Sequence, residues 1–530
     1  MKSFVNQSIQ WRGSRAVVAA LMIFMLTGTV MVGAQNNSAF PAKIRSGGSI
    51  SVRALFSGDF SCLDPQKAPD GSDVQTAIFQ TPLSLGPKGQ IEPALFSSWK
   101  YSHGGTQITF TVRHGQRFSN GDPLTASAIK YTYDRAVSLH FPGETTASAL
   151  GPLKSIQVVS KYVVRFFMTA PFRPLLTGLA TEYIGNSGIL DPKVTEKQGA
   201  NTCTAPVGSG PFKVSSVGPG LNTINLVRNP SYTSTTPWIH NHGAAYLKHL
   251  TFQQIVSDST AASELLSGGL DISQIAGDQL SRFKGNPNIA EHKVLYTGEL
   301  MMVYNQSHSS LGSTSVRRAI GEAVSRKALI QVGVSGLAVP ALSPMPVSLP
   351  YYSKSAAKYA PPYDPTAARK VLQAQHVSSL TLLSLNDPAS VADAQLIQAE
   401  LGQVGVNVKV QSDDFADYVS AANAGNFDLE LQEWSGADPD VAYYIYDPKG
   451  GYDFMFKDYT SVDKLITEAD DTLNQKKASA DFGQVQTILN KATAVDPLYT
   501  ETKVFGVRSR VGGFHTTEDG VVAYQDLYIK

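Results

Sequence analysis

Cysteine, net charge and low-complexity sequence are all scarce in this chain of 530 residues. The two cysteines, Cys62 and Cys203, lack C-x-x-C spacing and are too few for a structural zinc site or a redox motif. Forty-four Lys and Arg residues nearly balance 43 Asp and Glu residues, so the net charge of +1 gives no electrostatic reason to expect nucleic-acid binding. Apolar residues make up 42% of the chain, which excludes general disorder and supplies cores for two or more globular lobes.

Motifs of the common enzyme classes are also missing. The sequence has no G-x-S-x-G elbow, no Walker-type phosphate loop, no G-x-G-x-x-G after a strand and no H-E-x-x-H zinc motif. Its ten histidines stand singly except for His240 and His242, which lack carboxylates or cysteines nearby in sequence and which we interpret as part of a solvated loop. Distant Ser, His and Asp residues could still assemble in space, so a secreted α/β hydrolase remains an alternative hypothesis.

The N-terminus indicates export. Basic residues precede an apolar run at 16–33, and Val32 and Ala34 occupy the small-residue positions that a signal peptidase reads. We therefore predict that residues 1–34 are a cleaved signal peptide and that the protein is extracytoplasmic, in the periplasm or at the cell exterior. An uncleaved membrane anchor is the alternative, because an apolar run of this length can just span a bilayer. Residues 35–48 are small and polar and predict a flexible lead.

Export gives the two cysteines a further significance. In an oxidising compartment a bridge between Cys62 and Cys203 would close a long loop and stabilise the fold by up to about 4–5 kcal/mol in the chain-entropy model. Two buried free thiols are the alternative, since unpaired cysteine packs as a small apolar residue. We predict the disulfide.

Strand and helix periodicities alternate along the chain. Residues 107–118 alternate apolar and polar side chains, as expected of a strand with one buried face. Asn120 and Gly121 then favour a tight turn, and the pattern over 125–136 predicts a helix with a Thr N-cap. Residues 391–414 indicate a helix, a glycine stop and a strand, which is one step of an α/β sheet. The whole pattern predicts two α/β lobes.

Ten short signatures follow one another in a recognisable order. They are LDP (63–65), IEPALFSSW (91–99), ITFTVRHGQRFSNGDPLTASAIKYTYDRA (108–136), VGSGPFKV (207–214), INLVRNPSY (224–232), SGGLDIS (267–273), VYNQS with VRRAI (303–320), LGQVGVNVKV (401–410), NFDLELQEWSGADPD (426–440) and AVDPLY (494–499). With these signatures the chain resembles family 5 of the extracytoplasmic solute-binding proteins of ABC importers, which includes the oligopeptide- and dipeptide-binding proteins. The resemblance implies an α/β, two-lobed periplasmic-binding-protein fold of the class II type, with an extra α+β subdomain in the first lobe.

The resemblance also implies a chain that passes between the lobes twice. The expected ranges are 49–72, 207–277 and 495–530 for the first lobe, 73–206 for its extra subdomain and 278–494 for the second lobe. We expect the crossing segments near residues 272–280 and 492–500, and hinge closure of the two lobes over an unmodified solute.

One ligand contact follows from the signature at 426–440. In the family, an Asp that follows a Trp meets the free ammonium of a peptide, and the matching residue here is Asp438, with Asp440 as the competing choice. Capping of the turn at Pro439 is the alternative for either carboxylate. Trp434 would form a wall of the cleft, or else be part of the core.

Further contacts are implied elsewhere. Tyr304 and Asn305 match a strand end that could hydrogen-bond a peptide backbone, and Leu63 and Asp64 match a stretch that lines the first-lobe side of the cleft. The resemblance implies no catalytic residue and no metal site.

The ligand class is less determined than the family. Members carry oligopeptides, dipeptides, nickel complexes, opines, haem, glutathione or oligosaccharides, so the fold does not select among them. We favour a peptide ligand, a monomer without cofactor, and the transmembrane subunits of an ABC permease as partners. A solute sensor that uses the same cleft is a further alternative.

Overall fold

The computed structural model describes residues 44–54, 62–67, 73–87, 89–139, 146–180, 187–435, 446, 459–517 and 520–530. The predicted signal peptide at 1–34 and most of the predicted lead at 35–48 lie outside these described residues. Within the described ranges, no helix combines the length and the apolar character needed to cross a bilayer.

Strands and helices alternate over most of the described chain. The strands are β1 (Ser49–Ala54), β2 (Leu83–Leu85), β3 (Ile91–Pro93), β4 (Phe96–Ser102), β5 (Gln107–Val112), β6 (Leu153–Ser160), β7 (Val163–Met168), β8 (Phe212–Val217), β9 (Thr223–Arg228), β10 (His249–Gln254), β11 (Ile272–Gln274), β12 (Ile289–Leu295), β13 (Gly298–Tyr304), β14 (Ala338–Pro340), β15 (Ser379–Leu385), β16 (Asn407–Asp413), β17 (Leu429–Ser435), β18 (Val495–Arg508), β19 (Val511–Gly512) and β20 (Tyr528–Ile529). The helices are α1 (Asp73–Ile78), α2 (Ala126–Leu139), α3 (Leu175–Gly178), α4 (Pro192–Gln198), α5 (Asp258–Ser267), α6 (Thr314–Ala323), α7 (Arg326–Val332), α8 (Lys354–Ala357), α9 (Pro365–Ala374), α10 (Pro388–Gln403), α11 (Phe415–Asn423), α12 (Thr460–Asp470) and α13 (Gln475–Ala492).

The first lobe is built on one half of a mixed sheet. β1 lies parallel to β10 and β11, and β9 and β8 continue the sheet in antiparallel fashion. Ile50, Val52 and Ala54 of β1 are buried in a core that also contains Phe252 and Leu250 of β10. Alternating apolar residues in β1 therefore place one of its faces in this core.

The second lobe is built on the other half of the sheet. β13 pairs with β17, β17 with β15 in parallel, and β15 with β16 in parallel. One core beside β13 contains residues of α6, α7, α9 and α10, and a second core contains residues of α12 and α13. Every residue of β13 is buried, because helices cover both faces of the sheet at this strand.

The long strand β18 belongs to both halves of the sheet. Its residues 495–501 pair with β13 and β14, whereas residues 502–508 pair with β12 and β11. β12 therefore extends the first-lobe half of the sheet, and the chain changes halves after it, at residues 296–297, and again within β18 at 501–502. This pairing favours crossing points later in the chain than the predicted boundaries at 277/278 and 494/495.

The extra subdomain contains a four-stranded antiparallel sheet in the order β4-β5-β7-β6. The helix predicted at 125–136 is confirmed as α2, and Tyr133 is fully buried in the subdomain core. In the preceding turn Gly121 has φ +94°, and Asn120 Oδ1 accepts a hydrogen bond from the Asp122 amide at 2.9 Å. The turn therefore needs glycine for its backbone conformation and the Asn side chain to hold it.

Cys62 and Cys203 form a disulfide that spans 141 residues of sequence. Next to it, the amide of Leu63 donates a hydrogen bond to the carbonyl of Cys203 at 2.9 Å. The bridge ties the segment that follows β1 to the segment that precedes β8.

Candidate functional site

The carboxyl ends of the parallel strands in both lobes point toward the crossing in β18. In the second lobe, Ser435 at the end of β17 pairs with Gly298 at the start of β13, directly after the crossing at 296–297. In the first lobe, Gln274 at the end of β11 pairs with Phe505, and the Ile275 amide donates to the Val504 carbonyl at 2.7 Å. Ligands of open α/β sheets bind outside the carboxyl ends of the strands, so the candidate site lies beside this crossing, where the two-lobed fold predicts the cleft.

The main predicted ligand contacts follow the end of β17. Trp434 lies on β17, where its backbone pairs with Glu299 of β13, next to the crossing. The conformation of the Trp434 side chain, and the whole of Asp438 and Asp440, lie outside the described residues, so these three contacts stay predictions. Burial raises the pKa of Glu299 well above its ordinary value, with Arg326 and Thr500 opposing the shift. Burial therefore disfavours the charged form of the carboxyl group beside the strand that carries Trp434.

Tyr304 and Asn305 have structural partners inside the second lobe. The Tyr304 side chain is fully buried, and its hydroxyl donates a hydrogen bond to the Arg317 carbonyl at 3.2 Å. The side-chain Nδ2 of Asn305 donates to the backbone carbonyls of Gly425 and Phe427 at 3.0 and 3.1 Å. These contacts hold the end of β13 against α6 and against the loop before β17, and they do not support the predicted bonds to a peptide backbone.

Leu63 and Asp64 are likewise buried, each with 0% of its surface exposed. The Asp64 carboxylate accepts hydrogen bonds from Arg135 Nη2 at 2.7 Å and from Thr202 Oγ1 at 2.8 Å. Those two bonds reach Oδ2 of Asp64, and Arg135 Nη1 lies 3.3 Å from the other oxygen, Oδ1. Both carboxylate oxygens therefore have partners within the first lobe. The carboxylate therefore anchors α2 to the segment beside the disulfide, and the predicted role as a cleft wall has no support in these contacts.

The sequence patterns did not indicate a group of charged residues that lies at the crossing. Lys503 Nζ lies 3.2 Å from the centroid of the Tyr296 ring. Burial disfavours the charge on Lys503, but Tyr296, Glu433 and Glu501 outweigh it and raise the lysine pKa. Burial and the neighbouring Glu433 raise the pKa of Glu501 in turn. The crossing therefore offers both an ammonium group and carboxylates, and it could pair with charges of either sign on a solute.

Two buried acids lie deeper in the second lobe. The Tyr499 hydroxyl donates to Asp393 Oδ2 at 2.7 Å, and the Tyr418 hydroxyl donates to Glu430 Oε1 at 2.6 Å. Burial raises the pKa of Asp393 and of Glu430 to about 7, although the tyrosine hydrogen bonds oppose the shift. Both carboxyl groups therefore titrate near neutral pH.

The extra subdomain contacts the second lobe through Arg173, in the turn between β7 and α3. Arg173 Nη2 donates to Asp470 Oδ1 at 3.1 Å, and Nε donates to the Ala469 carbonyl at 3.4 Å. The guanidinium lies over the rings of Tyr351 and Phe482, 5.7 and 5.3 Å from their centroids. Only 14% of the Arg173 side chain and 3% of the Asp470 side chain are exposed. This contact, which we call the Arg173 latch, joins parts of the chain that lie on opposite sides of the crossing.

Comparisons with known proteins agree with this architecture. A family model of the bacterial extracellular solute-binding proteins, family 5 Middle, matches residues 90–456. A curated relative named as the probable D,D-dipeptide-binding periplasmic protein DdpA of Escherichia coli K12 is 28% identical over 480 residues, which cover 86% of this chain and 89% of the relative.

Solved structures share the fold. The periplasmic binding protein DppA of Helicobacter pylori, in complex with the peptide STSA, aligns with a TM-score of 0.77 and 24% identity over 92% of this chain and 98% of that chain. NikA of Brucella suis, in complex with Fe(III)-EDTA, aligns with a TM-score of 0.79 and 21% identity over 91% and 100% of the two chains. The predicted two-lobed α/β fold is confirmed by these alignments.

The family also decides between the functional classes. Its members are extracellular proteins that bind solutes for transport and are not enzymes, which excludes the secreted hydrolase. The predicted extracytoplasmic location is confirmed on the same ground. The chain therefore belongs to family 5 of the bacterial extracellular solute-binding proteins.

Proposed function

We propose that this protein captures a short peptide in the cleft beside the β18 crossing, closes its two lobes over it, and delivers it unchanged to the permease of an ABC importer. The observation that carries the proposal is the single strand β18, which pairs with both halves of the sheet. A family 5 chain with two lobes joined at one narrow crossing is suited to hinge closure.

The strand pairing also suggests where each lobe begins and ends. We place the first lobe at 49–79, 207–296 and 502–530, because α1 packs in the first-lobe core, its extra subdomain at 80–206, and the second lobe at 297–501. The hinge is then the pair of segments at 296–297 and 501–502, where few residues would need to change their backbone angles.

Closure needs contacts that form only when the lobes approach each other. The Arg173 latch fits this requirement, because it joins the extra subdomain to α12 and α13 of the second lobe. A guanidinium that is stacked and paired in this way loses its partners when the cleft opens. The latch therefore stabilises the closed form, and a ligand that bridges the lobes shifts the population in the same direction.

A peptide fits the chemistry of the crossing. Its ammonium and carboxylate ends need a carboxylate and a cation, and Glu433, Glu501 and Lys503 supply both charges. We propose that Asp438, which follows Trp434, binds the ammonium end with a charge-assisted hydrogen bond that strengthens as closure excludes water. Two similar proteins support this ligand class: the E. coli relative is named as a probable D,D-dipeptide-binding protein, and the H. pylori structure contains the peptide STSA.

Native mass spectrometry of the purified protein, followed by a thermal-shift panel, tests the proposal. The expected result is a ladder of co-purified masses that match short peptides, and a rise in melting temperature with peptides by the ligand linkage relation RT ln(1 + [L]/Kd). A single defined non-peptide mass, or shifts with metal chelates or sugars and none with peptides at millimolar concentration, would contradict the peptide assignment.

A further inference from the structure

Two histidines and an aspartate from distant parts of the sequence converge in the first lobe. His240 lies in the loop between β9 and β10, and His515 and Asp526 lie in the segment between β19 and β20. His515 Nε2 lies 2.7 Å from Asp526 Oδ2, and His240 Nδ1 lies 3.3 Å from the same oxygen. The two imidazole nitrogens are 3.3 Å apart. Three possible ligand atoms therefore meet at one point.

The two separations of 3.3 Å match those between neighbouring ligands of one metal ion, and the 2.7 Å hydrogen bond between His515 and Asp526 would lengthen by a few tenths of an ångström when an ion replaces its proton. Zinc binds histidine nitrogen and carboxylate oxygen at about 2.0–2.2 Å, so two of its ligand atoms lie roughly 3.0–3.4 Å apart in tetrahedral or octahedral geometry. Imidazole with carboxylate is a donor set that suits borderline divalent cations, among them Zn²⁺, Ni²⁺ and Co²⁺. A cation could therefore bind to all three atoms with small side-chain movements.

The carboxylate is held in place before any cation binds. Asp526 is fully buried, and its two oxygens accept the backbone N–H groups of His240 and Asn241 at 2.9 and 2.6 Å. The Asn241 side chain in turn donates to the Gln525 carbonyl at 2.9 Å. Hydrogen bonds of this kind to a ligating carboxylate are the usual support of a metal site.

The cluster is also accessible to an ion. The His240 side chain is 54% exposed and that of His515 is 25% exposed, so the imidazoles lie between the buried carboxylate and solvent. Trp238 lies edge-on to His515, with 5.6 Å between the ring centroids. A paramagnetic ion at the cluster would therefore lie close enough to this indole to quench its fluorescence.

We propose that His240, His515 and Asp526 form a binding site for a borderline divalent cation such as Zn²⁺, separate from the cleft beside the β18 crossing. The site would fasten the C-terminal segment to the loop between β9 and β10. His240 and His242 lie exposed in the loop between β9 and β10, as predicted, but His240 also has partners 275 and 286 residues away in sequence. His242 is exposed and is not part of the cluster.

Calorimetry with ZnCl₂ on the tag-free, chelator-treated secreted protein tests the site. We expect one saturable ion per chain, a loss of affinity of at least tenfold in His240→Gln and in His515→Gln, and a change of less than twofold in the matched control His242→Gln. Circular dichroism of the metal-free variants establishes that they remain folded. Asp526 is left unchanged because it also supports the backbone of the loop.

Quenching by Ni²⁺ gives a second readout that reports location. We expect saturable quenching of tryptophan fluorescence by Ni²⁺. This quenching should disappear in Trp238→Phe, and the Ni²⁺ concentration that gives half of it should rise at least tenfold in His515→Gln. The proposal is overturned if the metal-free protein binds no Zn²⁺ saturably, or if binding is equally strong in both cluster variants, which would leave the three residues as a hydrogen-bonded network only. Equal loss in His242→Gln would also overturn it. None of these outcomes depends on the peptide proposal.

Discussion

Replacing Arg173 with alanine should weaken ligand binding, although we do not expect the Arg173 side chain to contact the ligand. Arg173 joins the extra subdomain to the second lobe through Asp470 and the Ala469 carbonyl, and it stacks on Tyr351 and Phe482. If these contacts exist only in the closed form, the alanine variant loses them in that form alone. The open form should be unaffected, so the closed population and the affinity should fall together.

The size of the effect follows from the burial of the pair. Breaking a buried ion pair costs about 3–5 kcal/mol, whereas an exposed pair contributes about 0–1 kcal/mol. Arg173 is 14% exposed and Asp470 is 3% exposed, so we expect a loss of about 2–3 kcal/mol, between the two ranges and close to the buried one. Each 1.4 kcal/mol corresponds to a factor of about ten, so the dissociation constant should rise roughly 30- to 150-fold.

Calorimetry with a peptide that gives a clear thermal shift measures the effect. Arg165→Ala is the matched control, because Arg165 lies on β7 of the same subdomain and its Nε donates to Thr109 Oγ1 within it, at 3.1 Å. The control should change affinity less than threefold. Unchanged affinity in Arg173→Ala would refute the latch, as would an equal loss in Arg165→Ala. A lower melting temperature of the ligand-free Arg173 variant with normal affinity would refute it too, since the contact would then exist in both forms.

Three further changes test the ligand-binding carboxylate, the disulfide and a buried acid. Asp438→Asn should weaken peptide binding at least tenfold by calorimetry, through loss of a charge-assisted hydrogen bond, whereas Asp440→Asn should change it less than threefold; the reverse order would assign the ammonium to Asp440. Replacing both bridged cysteines with serine should lower the unfolding free energy by about 2–5 kcal/mol in urea titrations, and an unchanged midpoint would show that the bridge adds no stability. The unfolding free energy should also fall as the pH rises from about 4 to about 7, because Asp393, whose pKa burial raises to about 7, keeps in the native state a proton that the unfolded chain has lost. Asp393→Asn should flatten this dependence and stabilise the protein at pH 7.5, and an unaltered slope would contradict the raised pKa.

Local signals in the sequence were enough to predict the architecture of individual elements. The strand predicted at 107–118 is present but shorter, as β5 at 107–112, whereas the turn at Asn120 and Gly121 and the helix α2 are as predicted. All three predictions depend on residues near one another in the chain. The signature order carried the two-lobed fold, because it reflects the whole family and not one element. Neither the local patterns nor the order of the signatures predicted which half of the sheet β12 would join.

Site residues were harder to predict because their surroundings come from distant segments. Tyr304 stands at a strand end in sequence, yet helices on both faces of β13 bury it. Asp64 pairs with Arg135, 71 residues later, so its carboxylate was already committed. His240 acquires its cluster only when the C-terminal segment returns to the first lobe. Pairings across such distances depend on tertiary packing, and a single sequence contains no periodic pattern that records them.

Small-angle X-ray scattering of the purified protein, with and without a saturating peptide, tests hinge closure most directly. We expect a smaller radius of gyration with peptide bound, and a weaker contraction at the same peptide concentration in Arg173→Ala. Identical scattering curves with and without a peptide that binds by calorimetry would contradict the claim that two lobes close over the solute.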